Sequence, residues 1–148
     1  MKIRTGLLAL VALVSVCAAM AQTPAHERST VLAAEDMKLV PLDLRHPDGP
    51  ALAVLYGDPS TGPSAMLLRL PKGELPLHVH SSGYHLMVLR GTLKHWDAGD
   101  SAAAARPMGP GSYWFQPGGM AHGDACLSDD CLVYLTWLGK RDSYRPKP

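Results

Sequence analysis

Three histidines carry the chemistry that residue type and spacing allow in this chain: His78 and His80, one residue apart, and His122, three positions after Gly119 of the Pro117-Gly118-Gly119 turn. Alternate side chains of a β-strand share a face, so His78 and His80 point one way while Leu77 and Val79 point the other. Two imidazoles converging like this supply two of the ligands that a zinc, copper, iron or nickel site needs. On its own, a His-x-His pair is equally compatible with a hydrogen-bonded or solvated face. Proline and two glycines make a tight turn between strands, and His122 lies just beyond it.

Other polar groups stand close by in sequence. His95 alternates with Lys94 and Trp96 and shares a face with Leu93, so a solvated Lys94 turns His95 inward. There it is either a proton relay and partner of a ligand, or a core histidine satisfied by a backbone carbonyl. Trp114 and Gln116 face together, Tyr113 and Phe115 face the other way, and one pair lines a pocket while the other packs. Asp124 has the parity of His122 and can orient it, although an exposed turn aspartate is the commoner case. His26 and His46 sit in loop-like surroundings and receive no role.

The elements that must position these residues are short. Pro and Gly punctuate apolar, β-branched and aromatic runs at Ala51 to Tyr56, Ala65 to Leu70, Leu77 to His80, His85 to Leu89, Thr92 to Trp96, Ser112 to Gln116 and Leu132 to Leu138. This is how an all-β sandwich or barrel reads. No helical stripe competes and no repeat is visible. Apolar residues on both faces of Tyr84 to Leu89 imply a covered outer face, by a second sheet or by a twin subunit in a homodimer.

The N-terminus carries Lys2 and Arg4, an apolar run from Leu7 to Cys17, and a small-x-small site at Ala19 to Ala21. These are the features of a secretory signal peptide, residues 1–21, and the run is shorter than the roughly 20 residues a membrane span needs. The expected organisation is then a flexible lead at 22–36, one domain at 37–140 and a charged tail at 141–148, exported to the periplasm or secreted, with no membrane association after cleavage. Removing Lys2 and Arg4 from 14 basic residues leaves 12 against 13 acidic. A near-neutral chain without a basic cluster argues against nucleic-acid binding. Cys126 and Cys131, the cysteines remaining after cleavage, are expected to form a disulfide in an oxidising compartment. The alternative places Cys126, which shares the parity of His122, near a metal as a thiolate.

The two histidine segments resemble the paired motifs of the cupin superfamily. The first, Gly73, four residues, His78-Val79-His80, three residues, Tyr84, six residues, Gly91, follows the family pattern except that Gly73 is one residue closer and Tyr84 stands at the glutamate position. The second is matched at Gly111, Pro117, Gly119 and His122, with Cys126 where the family has asparagine. The resemblance spans roughly residues 54–138 and is closest to small exported single-domain bacterial cupins, similar to the cupin domains of zinc-binding anti-sigma factors. It implies an all-β cupin fold, a double-stranded β-helix or jelly-roll barrel, with one divalent metal ion (Fe, Zn, Mn, Ni or Cu) on His78, His80 and His122. The fourth ligand is left open between Tyr84, a phenol with a pKa near 10, and His85, because both faces of their strand are apolar.

Cupin barrels host many activities, so the resemblance leaves the catalytic residues unassigned. The expected function is a metal-dependent enzyme acting on a small molecule in the barrel. The alternatives are a non-catalytic small-molecule or metal binder or sensor, and a metal-free structural cupin.

Overall fold

The computed structural model describes residues 29–146. The expected signal peptide, the start of the lead and His26 lie outside the described residues. The remaining lead contains one 3₁₀ turn, Ala34–Asp36, with no buried residue. Strands follow where the sequence alternates or runs apolar: β1 (Val40–Pro41), β2 (Ala51–Gly57), β3 (Ser64–His78), β4 (Tyr84–Arg90), β5 (Leu93–Asp97), β6 (Tyr113–Gln116) and β7 (His122–Trp137). Among the described residues, no helix is long and apolar enough to cross a membrane.

Two strands are longer than their apolar runs suggested. The runs at Ala65 to Leu70 and Leu77 to His80 belong to one strand, β3, that continues to His78 through Pro71, Lys72 and Gly73. Its partner β7 likewise continues through Leu127 to Asp130, residues that lie ahead of the apolar run from Leu132. There β7 bulges against β3, since Pro71 pairs with Asp130 and Gly73 with Cys126, so fewer β3 residues than β7 residues fill the interval. A disulfide between Cys126 and Cys131 closes the bulge.

All pairings among the named strands are antiparallel, in the order β1-β2-β3-β7-β4-β6, with β5 beside the first half of β7. Strand β7 therefore has β3 along one edge and β5 then β4 along the other. The chain is all-β as expected, but its hydrogen-bonded ladder does not close into a barrel. The two-residue β1 and the four-residue β6 stand at its opposite ends without pairing.

Burial follows one face of each strand. In β4, Tyr84, Leu86 and Val88 are buried, and they pack with Met66, Leu70, Leu93, Val133, Leu135 and Trp137. At about 25 cal/mol per Å² of apolar surface, each such side chain contributes roughly 1.5–3 kcal/mol. The other face of β4 is open: Met87 is 44% exposed and pairs across to Tyr113, 55% exposed, and to Tyr134. Among the described residues, nothing supplies the cover for this outer face that the sequence led one to expect. Gly91 turns β4 into β5 at φ +83, and a Cβ there would lie 2.6 Å from the Asp130 carbonyl oxygen, so only glycine fits over the disulfide.

Candidate metal centre

The two histidine segments meet through strand pairing. His78 ends β3 directly opposite His122 at the start of β7. The Pro-Gly-Gly turn is tied to the first segment by the Gly119 amide, which donates to the His80 carbonyl at 2.7 Å, with Gly119 at φ +80. On the far side, Val79 exchanges two backbone hydrogen bonds with Tyr144, so residues after 140 lie along the histidine segment. Charge and prolines in that tail did not signal this contact; it depends on a partner more than sixty residues away.

The outcome is a cluster of imidazoles. Ring centroids of His78 and His122 are 4.3 Å apart, His78 and His80 4.8 Å, and His80 and His122 5.1 Å. One ring nitrogen from each lies within 4.8 Å of the others. The widest separation exceeds the roughly 4 Å that two atoms bonded to one ion at 2.0–2.1 Å can span, so the rings would draw together on a bound ion. Each ring is held from behind by a backbone carbonyl: His78 Nδ1 by Pro76 at 2.9 Å, His122 Nδ1 by Met120 at 3.2 Å, and His80 Nδ1 by Asp142. A carbonyl only accepts, so each Nδ1 carries a proton, which in a neutral ring leaves Nε2 its lone pair. This is the state in which histidine binds metal, and backbone carbonyls are the usual partners of the other nitrogen.

Burial favours the neutral form of His80 and His122. It pushes His80 from 6.5 down to about 4, with smaller contributions from the other histidines, and it lowers His122 as well. Around them stand two further polar groups. Tyr84, 3% exposed, donates its hydroxyl to His122 Nε2 at 3.2 Å. Burial first, and then the charge of Asp124, raises its pKa well above the usual phenol value, so it is a neutral donor. Asp124, 7% exposed, accepts from His95 Nδ1 at 2.8 Å through Oδ1.

Several of the alternatives left open by the sequence are decided by this arrangement. Tyr84 faces the cluster, whereas His85 lies on the opposite face, with Nδ1 2.7 Å from the Tyr113 hydroxyl and its ring against Phe115. Strand alternation separates them, so His85 is outside the candidate site. Trp114 and Gln116 are the inward pair. His95 stacks on Trp114 and is held by a carboxylate in place of the expected carbonyl. Asp124 is a buried strand residue, not an exposed turn aspartate; its parity with His122 was the available signal. Cys126 is in the disulfide and is not a thiolate.

Beside the cluster opens a cavity of about 800 Å³, lined by Met66, Leu68, Leu75, Leu86 and Leu135 and, on its polar side, by His78, His80, Tyr84, Asp124 and Arg141. The Arg141 guanidinium is half-buried, and burial lowers its pKa. It forms no hydrogen bond or ion pair among the described residues. No sequence signal marked Arg141, which sits in the charged tail.

The chain matches the family described as "Domain of unknown function (DUF4437)" over residues 30–146. No curated protein matches it. Among solved structures it is similar to the polyketide cyclase RemF from Streptomyces resistomycificus, with a TM-score of 0.64 and 17% identity over 82% of this chain and 87% of that one. An RmlC-like cupin from Shewanella frigidimarina gives 0.60 and 17%, over 78% and 95%. The DMSP lyase DddQ from Ruegeria pomeroyi gives 0.57 and 21%, over 78% and 59%. At these identities the likeness is one of fold, and the fold is that of the cupins.

Proposed function

This chain belongs to the family described as Domain of unknown function (DUF4437), and we propose that it is an exported metal-binding cupin that acts as an enzyme on a small molecule held in the cavity. The observation that carries this is the shared environment of His78, His80 and His122: three rings, each tied by Nδ1 to a backbone carbonyl, with one nitrogen of each within 4.8 Å of the others. The donor set fits a divalent ion such as Zn, Fe, Mn, Ni or Cu. A metal held there would act as a Lewis acid on an oxygen of the bound molecule.

The chain's own residues suggest the rest. Apolar side chains of the cavity take the hydrocarbon part of the substrate, and the unpaired Arg141 takes an anionic group such as a carboxylate. Tyr84, a neutral phenol at the edge of the cluster, donates a hydrogen bond or a proton to a substrate oxygen. Two of the similar structures are named as a polyketide cyclase and a DMSP lyase, which is compatible with small-molecule chemistry in this fold.

Two other readings have particular support. The Tyr84 to His122 hydrogen bond satisfies Nε2 without any metal, as a structural cupin would require. The resemblance to cupin domains of zinc-binding anti-sigma factors favours a sensor. Elemental analysis of protein purified without added metal is the deciding measurement. About one divalent ion per chain in the wild type, lost in His78→Ala, His80→Ala and His122→Ala and retained in His46→Ala, is expected. Absence of bound metal at micromolar concentrations overturns the reading. Export predicts a mature N-terminus at Gln22, which N-terminal sequencing reads directly. The open apolar face around Met87, Tyr113 and Tyr134 supports a homodimer, to be measured by sedimentation equilibrium.

A further inference from the structure

We infer that Asp124 is the carboxylate ligand of the metal site, entering from β7 and replacing the glutamate whose position in the cupin motif is held by Tyr84. The inference rests on the three-histidine reading above and adds to it the residue that completes the shell. His122 and Asp124 are alternate residues of one strand and so share a face. Asp124 Oδ2 lies 3.8 Å from His122 Nε2 and 3.9 Å from His78 Nε2. These separations are too long for hydrogen bonds. They are close to the roughly 3.4 Å expected between two ligands bonded at 2.0–2.2 Å to one tetrahedral ion.

The side from which the carboxylate approaches is as informative as the distance. A carboxylate that merely orients a ligating histidine accepts from the nitrogen turned away from the metal. Here that nitrogen, Nδ1, is already taken by a backbone carbonyl in all three rings. Asp124 stands on the Nε2 side of both His78 and His122, the side on which those rings would meet an ion. Oδ2 accepts no hydrogen bond among the described residues, and it belongs to a side chain that lines the cavity. His95 holds Oδ1 at 2.8 Å and is itself stacked on Trp114, which turns Oδ2 toward His78 and His122. Neither residue at the position of the family glutamate supplies the anion: Tyr84 is a buried hydrogen-bond donor to His122, and His85 points away. Three neutral imidazoles and one carboxylate also leave a divalent ion with one compensating negative charge.

The test is a titration of the metal-stripped full chain with Zn²⁺ against a chromophoric chelator, with Co²⁺ spectra in parallel, for the wild type, Asp124→Asn, Tyr84→Phe and His122→Ala. Asp124→Asn is expected to weaken Zn²⁺ binding at least about tenfold and to move the Co²⁺ visible bands, while Tyr84→Phe leaves affinity equal or higher. Wild-type affinity and an unchanged Co²⁺ spectrum in Asp124→Asn, with binding lost in His122→Ala, overturn this inference and leave the three-histidine reading standing. No binding by the wild type overturns both. Should Asp124→Asn fail to fold, a crystal structure of the zinc-soaked wild type decides. An Asp124 oxygen within about 2.2 Å of the ion supports the assignment, and one beyond hydrogen-bond distance ends it.

Discussion

The hydroxyl of Tyr84 lies 3.2 Å from Nε2 of His122, on the lone pair that the three-histidine site would offer to a metal. An ion bound at His122 Nε2 would have to displace the Tyr84 hydroxyl. Replacing Tyr84 with phenylalanine should therefore have opposite consequences in the two states. Metal-stripped Tyr84→Phe should lose about 1–2 kcal/mol, the cost of a buried acceptor left without its donor. With saturating Zn²⁺ the deficit should vanish, because the ion then satisfies Nε2. Urea denaturation with chelator and with zinc measures both; equal destabilisation in both conditions would refute this account.

The unpaired Arg141 in the cavity predicts a preference for anionic ligands. With zinc-loaded protein, benzoate should bind at least about tenfold more tightly than benzamide, the scale expected of a charge-assisted hydrogen bond. Arg141→Met should abolish the preference without altering zinc content. Calorimetric titration of the two probes is the measurement, and an undiminished preference for benzoate in the variant would count against the assignment.

The Cys126 to Cys131 disulfide closes a loop of five in sequence across the β7 bulge. In the chain-entropy model so short a loop stabilises by about 2 kcal/mol. The double variant Cys126→Ser, Cys131→Ser should lose about that much, and labelling of the oxidised, denatured wild type should find no free thiol at these positions. Two reactive thiols would exclude the bond.

Burial holds His80 at about 4 in the folded protein against 6.5 for the exposed ring, and it lowers His122 in the same direction. Between pH 6.5 and 4 the unfolded chain therefore binds protons that the folded chain refuses. Stability of metal-stripped protein should be full above pH 6.5 and fall as the pH drops toward 4. Urea midpoints in the presence of chelator should show this slope, and His80→Gln should flatten it. A wild-type profile that is flat across this window would exclude the mechanism.

Much of the site was legible in one dimension because its main signals are local. The His78-Val79-His80 spacing brings two imidazoles together, although β3 ends at His78 and His80 lies just beyond it, and the Pro-Gly-Gly turn announces the strand that begins with His122. Strand identity was legible for the same reason, while strand length was not. The polar residues Lys72, Gly73 and Glu74 interrupt the apolar pattern of β3, yet they pair with β7, because backbone hydrogen bonding tolerates side chains that face solvent.

What the sequence by itself determined, then, is the all-β class, the cupin-like pair of motifs, the three clustered histidines and the cysteine pair. The strand signals, the motifs and the cysteine pair follow from spacing within a few residues, while the meeting of His122 with His78 and His80 is what the resemblance implies. The tertiary structure alone decided between Tyr84 and His85, because the apolar residues beside them are alike and only packing shows which face is the core. It also brought Asp124 beside Nε2 of both His78 and His122, set His95 behind the carboxylate, and carried Arg141 and Asp142 from the tail to the histidine segment. Apart from Asp124 and His122, near neighbours on one strand, the hydrogen bonds among these contacts join residues 29 and 62 positions apart. No local period encodes such a distance; it is set by which strands pair and in what register.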